Sequence, residues 1–151
     1  MTTRDFIERT YNVPSTKDRR CSSVFTDHKG TVYSYGYHFP LAFNVMGLDF
    51  INTASYSSST NKHQSWAKSA LGYNNYLPVV LWTDEARVIG LSYSTDEEKI
   101  KAIRKAIVRE VNRVYTEVAK KKRKDTQVYA WLEHQLKTAT DALRKVDEVL
   151  A

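Results

Sequence analysis

The sequence predicts an α+β fold, an antiparallel sheet of β-hairpins with one short helix, plus a C-terminal pair of long helices. Three observations carry that prediction. Short apolar runs broken by Gly, Pro, Asn and Asp fill residues 1–94, the pattern of strands joined by tight turns. Two long stripes at helical spacing fill residues 95–151. The chain has 151 residues, of which 42% are hydrophobic and 26% charged, which fits one folded domain with its own core.

Residues 3–10 form a short amphipathic helix with Phe6 and Ile7 inward, closed off by Pro14 and the polar stretch Ser15–Arg20. A hairpin follows, pairing Ser22–Thr26 with Thr31–Tyr37 through the turn Asp27–Gly30, whose glycine accepts a positive φ. A second hairpin pairs Phe39–Val45 with Leu48–Thr53 around Met46 and Gly47. Pro40 has no N–H to donate, so it belongs at a strand start or a sheet edge. Thr60 or Asn61 caps a short helix over 60–71. Asn61 and Gln64 have capping-box spacing, and Gly72 ends the helix. Pro78–Trp82 and Arg87–Tyr93 read as a third hairpin around Thr83–Ala86. The unbroken apolar run Val79–Leu81 marks its first strand as buried on both faces, at the centre of the sheet.

The last third is helical. Thr95 and Glu98 make a capping box, and Asp96, Glu97 and Glu98 suit the positive end of a helix dipole. Ile100, Ile103, Ile107, Val111, Val114 and Val118 form one apolar stripe. Asp125 or Thr126 caps a second helix with a stripe of Tyr129, Leu132, Leu136, Ala139, Leu143, Val146 and Leu150. Its alternating spacing of three and four resembles a coiled coil. That stripe serves either an antiparallel helical hairpin within the chain or a homodimer axis.

Several function classes lack support. The single cysteine, Cys21, rules out an intrachain disulfide and suits a reducing cytosol. No stretch has the ~20 apolar residues of a membrane span, and the N-terminal residues lack the apolar core of a signal peptide, so a cytoplasmic protein is expected. His28, His38, His63 and Cys21 lack zinc-ligand spacing, and no phosphate loop, dinucleotide fingerprint or nucleophile elbow occurs. No metal and no cofactor is expected.

The stretch 33–67 concentrates aromatics, two histidines and a Ser/Thr cluster. His38 and His63 are the residue types for acid and base in phosphodiester cleavage, with Thr60, Lys62 and Ser65 placed to hold a phosphate near a helix N-terminus. The alternative is structural, with His38 bonded within the sheet and His63 completing the first turn of its helix. Tyr33, Tyr35 and Tyr37 alternate along a strand and would share one face. Exposed, they make a stacking platform for single-stranded nucleic acid; buried, they fill the core. The residues Tyr35, Gly36, His38, Phe39, Pro40, Leu41 and Ala42, then Tyr56, Thr60, Lys62, His63 and Gln64, resemble a small domain of unsettled biochemistry that recurs in bacteriophage proteins. The resemblance covers about residues 31–71. It implies a phage-encoded protein acting in an infected bacterial host cell.

Charge is the clearest functional signal. The net charge is +6, and residues 95–124 alone carry 11 basic and 5 acidic side chains. Lys101 with Lys105 and Arg109 with Arg113 pair along helix faces, and Lys120, Lys121, Lys122, Arg123 and Lys124 crowd five cations together. Mutual repulsion there opposes folding unless a negatively charged partner offsets it. Two functions follow. One is a non-catalytic, anti-CRISPR-like binding protein that inhibits a host defence or nucleic-acid-handling component through its basic surface. The other is a protein that binds DNA or RNA directly, with nuclease activity if His38 and His63 are catalytic.

Overall fold

A computed structural model describes residues 1–90 and 93–151. Helix α1 (Thr3–Thr10) starts where the Thr2 hydroxyl accepts the Asp5 N–H at 3.1 Å, and it buries Phe6 and Ile7 as expected. Six strands follow in one sheet, in spatial order of sequence: β1 (Arg19–Cys21), β2 (Val24–Thr26), β3 (Val32–Ser34), β4 (Pro40–Val45), β5 (Leu48–Asn52) and β6 (Leu77–Val79). The first five pair antiparallel. Both expected turns form: Gly30 sits at φ +91° between β2 and β3, and Met46 and Gly47 both take positive φ between β4 and β5. Pro40 is the first residue of β4. The polar stretch ending at Arg20 also supplies β1, a strand the hydrophobic pattern does not show.

Helix α2 (Ser58–Leu71) crosses from β5 to β6, and those two strands pair in parallel. A parallel pair needs such a crossover, whereas a hairpin cannot make one. The expected third hairpin is therefore absent. Thr83–Gly90 is helix α3, with Asp84 and Glu85 in its first turn, where acidic side chains favour the helix dipole. Residues that read as a turn are the start of this helix. Leu91 and Ser92, from the expected return strand, lie outside the described residues. The apolar run at 79–81 is likewise not central: β6 is an edge strand, and Val79 and Leu81 are buried because helices cover them. The α2 cap also differs. Ser57 accepts the Thr60 N–H at 3.1 Å, and Gln64 turns inward to donate to the carbonyls of Asn52 and Ala54 at 2.8 and 2.9 Å.

The sheet is covered on both faces. Val24, Val32 and Ile51 meet α1 and α2, while Phe43, Val45 and Phe50 meet α3 and the two C-terminal helices. A bulge helps set this division. Val32 pairs with Ala42 and Tyr33 with Pro40, leaving Leu41 as the extra residue, so Leu41 and Ala42 both enter the α1–α2 side. Helices α4 (Asp96–Lys120) and α5 (Gln127–Leu150) are capped by Thr95 and Thr126. They pack as an antiparallel hairpin, tied by Arg104 and Asp147 at 2.6 Å. Ile100, Ile103 and Ile107 are all but fully buried, and each such side chain contributes about 1.5–3 kcal/mol of burial. Among the described residues, no helix is long and apolar enough to cross a membrane.

Candidate functional site

Residues 34–39 build the loop that carries the histidine motif. Ser34 N–H donates to Phe39 O and Phe39 N–H to Gly36 O, each at 3.1 Å, and Tyr35 takes φ +66°. That positive φ ends the alternation of β3, so Tyr33, Tyr35 and Tyr37 do not share one face. Tyr33 is wholly buried between Phe25 and Tyr37, while Tyr35 turns the other way and lies over His63 at 5.3 Å. The three do not make a single stacking platform, because the strand ends at Ser34.

His63 lies in the second turn of α2 with Tyr35 and Trp66 within 5.3 and 5.6 Å of its ring. Its Nδ1 is 2.7 Å from Ser34 Oγ, and both residues are buried. Burial holds the His63 pKa below the ordinary imidazole value, which keeps the ring neutral at neutral pH. A serine oxygen on an imidazole nitrogen has the atoms of a nucleophile and its base. Ser34, however, is only 1% exposed, and among the described residues no carboxylate pairs with His63. Here the contact satisfies two buried polar groups. Thr60 is buried too, its hydroxyl accepting from Ser57 Oγ at 3.0 Å inside the helix cap. His38 is exposed and rests on Tyr56 at 5.8 Å. The two histidines thus stand in separate aromatic contacts. Among the described residues, no three His, Cys, Asp or Glu side chains gather into a metal-holding group.

The basic residues separate into those with partners and those without. Lys101 pairs with Glu97 at 2.9 Å along α4. Arg109 forms an ion pair with Glu85 at 2.5 Å and donates to the Val80 carbonyl at 3.1 Å, which ties α4 to α3 and to the chain after β6. Arg113 is engaged by Glu110 at 2.5 Å. Arg109 and Arg113 therefore serve first inside the chain. Arg123 stands 3.7 Å from Asp125, an exposed pair of little strength. Lys105, Lys120, Lys121, Lys122 and Lys124 have no carboxylate partner among the described residues.

Four of those five lie at the tip of the helical hairpin. Helix α4 ends at Lys120, the Lys121 N–H donates to Val118 O at 3.2 Å, and the chain then runs irregularly to the Thr126 cap of α5. Cations at the end of α4 suit its dipole, but the same cations precede the positive end of α5, whose first turn has no acidic residue. Flanking the run, Tyr115, Val128 and Trp131 are 64%, 53% and 57% exposed. Sequence reasoning passes over them. The available signal is that Tyr115 and Trp131 fall off the apolar stripes of their helices, where an aromatic has no packing role.

Comparison with protein-family models, curated proteins and solved structures found no match to this chain.

Proposed function

We propose that this is a non-catalytic binding protein that docks on a polyanionic partner through the tip of its helical hairpin. The observation that carries the reading is the run Lys120–Lys124, in which four lysines have no carboxylate partner among the described residues. A cluster of unpaired cations raises the local concentration of an anionic partner and speeds encounter with it. The exposed Tyr115, Val128 and Trp131 beside it add apolar contact area of the kind that anchors interfaces.

The resemblance of residues 31–71 to a recurrent phage domain supports a setting in an infected bacterial cell. There the partner would be a component of a nucleic-acid-handling defence complex, and occupying it would inhibit that complex. A second reading, direct binding to DNA or RNA, draws on Tyr115 and Trp131. Aromatics next to lysines stack bases while the cations track the backbone. Its nuclease variant would need His38 and His63 to act on a common substrate, and the burial of Ser34, Thr60 and His63 favours it least.

Affinity capture from a bacterial lysate tests both. The intact chain should retain a partner that a variant with Lys120, Lys121, Lys122 and Lys124 changed to glutamine does not. Retention after nuclease treatment of the lysate identifies a protein partner, and loss identifies nucleic acid. Equal capture by the two chains would reject the hairpin tip as the contact surface.

A further inference from the structure

Between the Asp27–Gly30 turn, Tyr37, Gly90 and Lys99 lies a cleft of about 610 Å³. That volume is within the roughly 300–1,000 Å³ of small-molecule sites. A Cβ at Gly90 would stand 2.9 Å from the Tyr37 carbonyl, so this glycine lets the end of α3 close against the Tyr37 loop and form one wall.

Two carboxylates and two ammonium groups line the cleft, Asp18 and Asp27 with Lys29 and Lys99, and they differ in what holds them. Asp27 is already used: one oxygen accepts the N–H groups of Lys29 and Thr31 at 2.9 and 3.0 Å, and the other accepts the Tyr33 hydroxyl at 2.9 Å. Asp18 accepts the Tyr37 hydroxyl and stands 3.4 Å from His28 Nε2. Neither Lys29 nor Lys99 has a carboxylate within ion-pair distance among the described residues. Lys99 is only 9% exposed, and it sits in the first turn of α4, where a cation opposes the helix dipole. Burial and then the neighbouring Lys29 charge push its pKa down, against a weaker upward pull from Asp96 and Asp27. A largely buried ammonium with no ion pair is unfavourable, so Lys99, with the exposed Lys29 beside it, offers an anion a place that Asp18 and Asp27, bonded elsewhere, do not fill.

We propose that this cleft binds a small phosphate monoester, its oxygens seated between Lys29 and Lys99 and the rest of the molecule lying along Tyr37 and Ile89. A phosphate monoester carries nearly two negative charges at neutral pH, which matches two unpaired ammonium groups. The half-exposed Tyr37 ring and Ile89 give the body of such a molecule an apolar wall. The site is separate from the hairpin tip. Lys99 and Lys120 stand at opposite ends of α4, on the order of 30 Å apart at 1.5 Å per residue.

Titrating the full chain with inorganic phosphate, adenosine 5′-monophosphate and adenosine, followed by amide NMR shifts and thermal melting, tests the assignment. Both phosphate-bearing probes should shift the amides of Lys29, Thr31, Gly90 and Lys99 saturably and raise the melting temperature, and adenosine should do neither. Lys99→Met keeps the aliphatic stem and removes the buried charge, so it should fold and bind about thirtyfold more weakly or worse. Lys29→Gln, at an exposed position, should also weaken binding, whereas the glutamine variant of the hairpin tip should leave it unchanged. The proposal is overturned if neither phosphate probe gives a saturable shift, if both lysine variants bind like the parent, or if the shifts map only to the hairpin tip.

Discussion

Replacing Lys120, Lys121, Lys122 and Lys124 with glutamine removes four ammonium groups that have no carboxylate partner among the described residues, and leaves Arg123 with Asp125 at 3.7 Å. For a duplex DNA partner, each neutralised phosphate adds about −0.9 to the slope of log affinity against log salt, so four contacts give about −3.6. Affinity should then fall about 150-fold between about 50 and 200 mM salt, and the variant should lose nearly all of that dependence. The fold should survive. Lys120, Lys122 and Lys124 are exposed and Lys121 is half-buried, and the end of α4 is held by a backbone bond from Lys121 N–H to Val118 O that glutamine keeps. A surface change of this kind shifts stability by no more than about 0.5 kcal/mol. Fluorescence anisotropy with labelled duplex and single strand across a salt series reads the slope, and thermal melting checks the fold. A steep salt slope that the variant keeps would refute the assignment of the contact to this tip. No binding by the parent chain even at low salt would refute the nucleic-acid reading itself.

Trp131→Ala should leave stability within about 0.5 kcal/mol because the ring is mostly exposed, yet weaken partner binding by about thirtyfold if Trp131 is an interface anchor. Unchanged binding by titration would remove it from the interface. The neutral His63 predicts a pH dependence: its folded pKa lies below the unfolded value, so the unfolded chain takes up the proton first. The contribution is fully present above about pH 6.5 and is lost as pH falls through that value toward the folded pKa. Denaturant unfolding of the parent and of His63→Gln should diverge below that point, and parallel pH profiles would contradict the buried-imidazole account. Gly47→Ala should cost about 1–2 kcal/mol for its φ of +84° alone, since nothing lies within 4 Å of the new Cβ. Gly30→Ala should cost clearly more, because its Cβ would stand 2.4 Å from the backbone nitrogen of Val13. Equal melting temperatures for the two variants would show that the Asn12–Val13 segment yields easily.

The elements with strong local signals were legible in the sequence. The β2–β3 and β4–β5 hairpins follow from turns that require positive φ, and α4 and α5 from caps and stripes that repeat over many turns. The stretch around Thr83 misled because Thr-Asp-Glu-Ala has the polarity of a turn and equally the acidic first turn of a helix. The run Val79–Leu81 misled because continuous burial marks a central strand and also an edge strand roofed by helices. At the candidate site, the lysine cluster was visible as a charge excess in one segment. The division between engaged and unpartnered cations was not, since Glu85 reaches Arg109 across 24 positions of chain.

The sequence by itself determined where the chain turns, which faces of the long helices are apolar and where positive charge accumulates. These properties are set by φ preferences and by spacing within a few residues. Only the tertiary structure decided that Tyr33 is buried while Tyr35 covers His63, that Ser34 meets that imidazole, and that Lys29 and Lys99 face one cleft without ion-pair partners among the described residues. Each of these depends on residues far apart in the chain being brought within a few ångströms. Spacing along a sequence carries no record of that, because packing of the sheet against its two helical layers sets those distances.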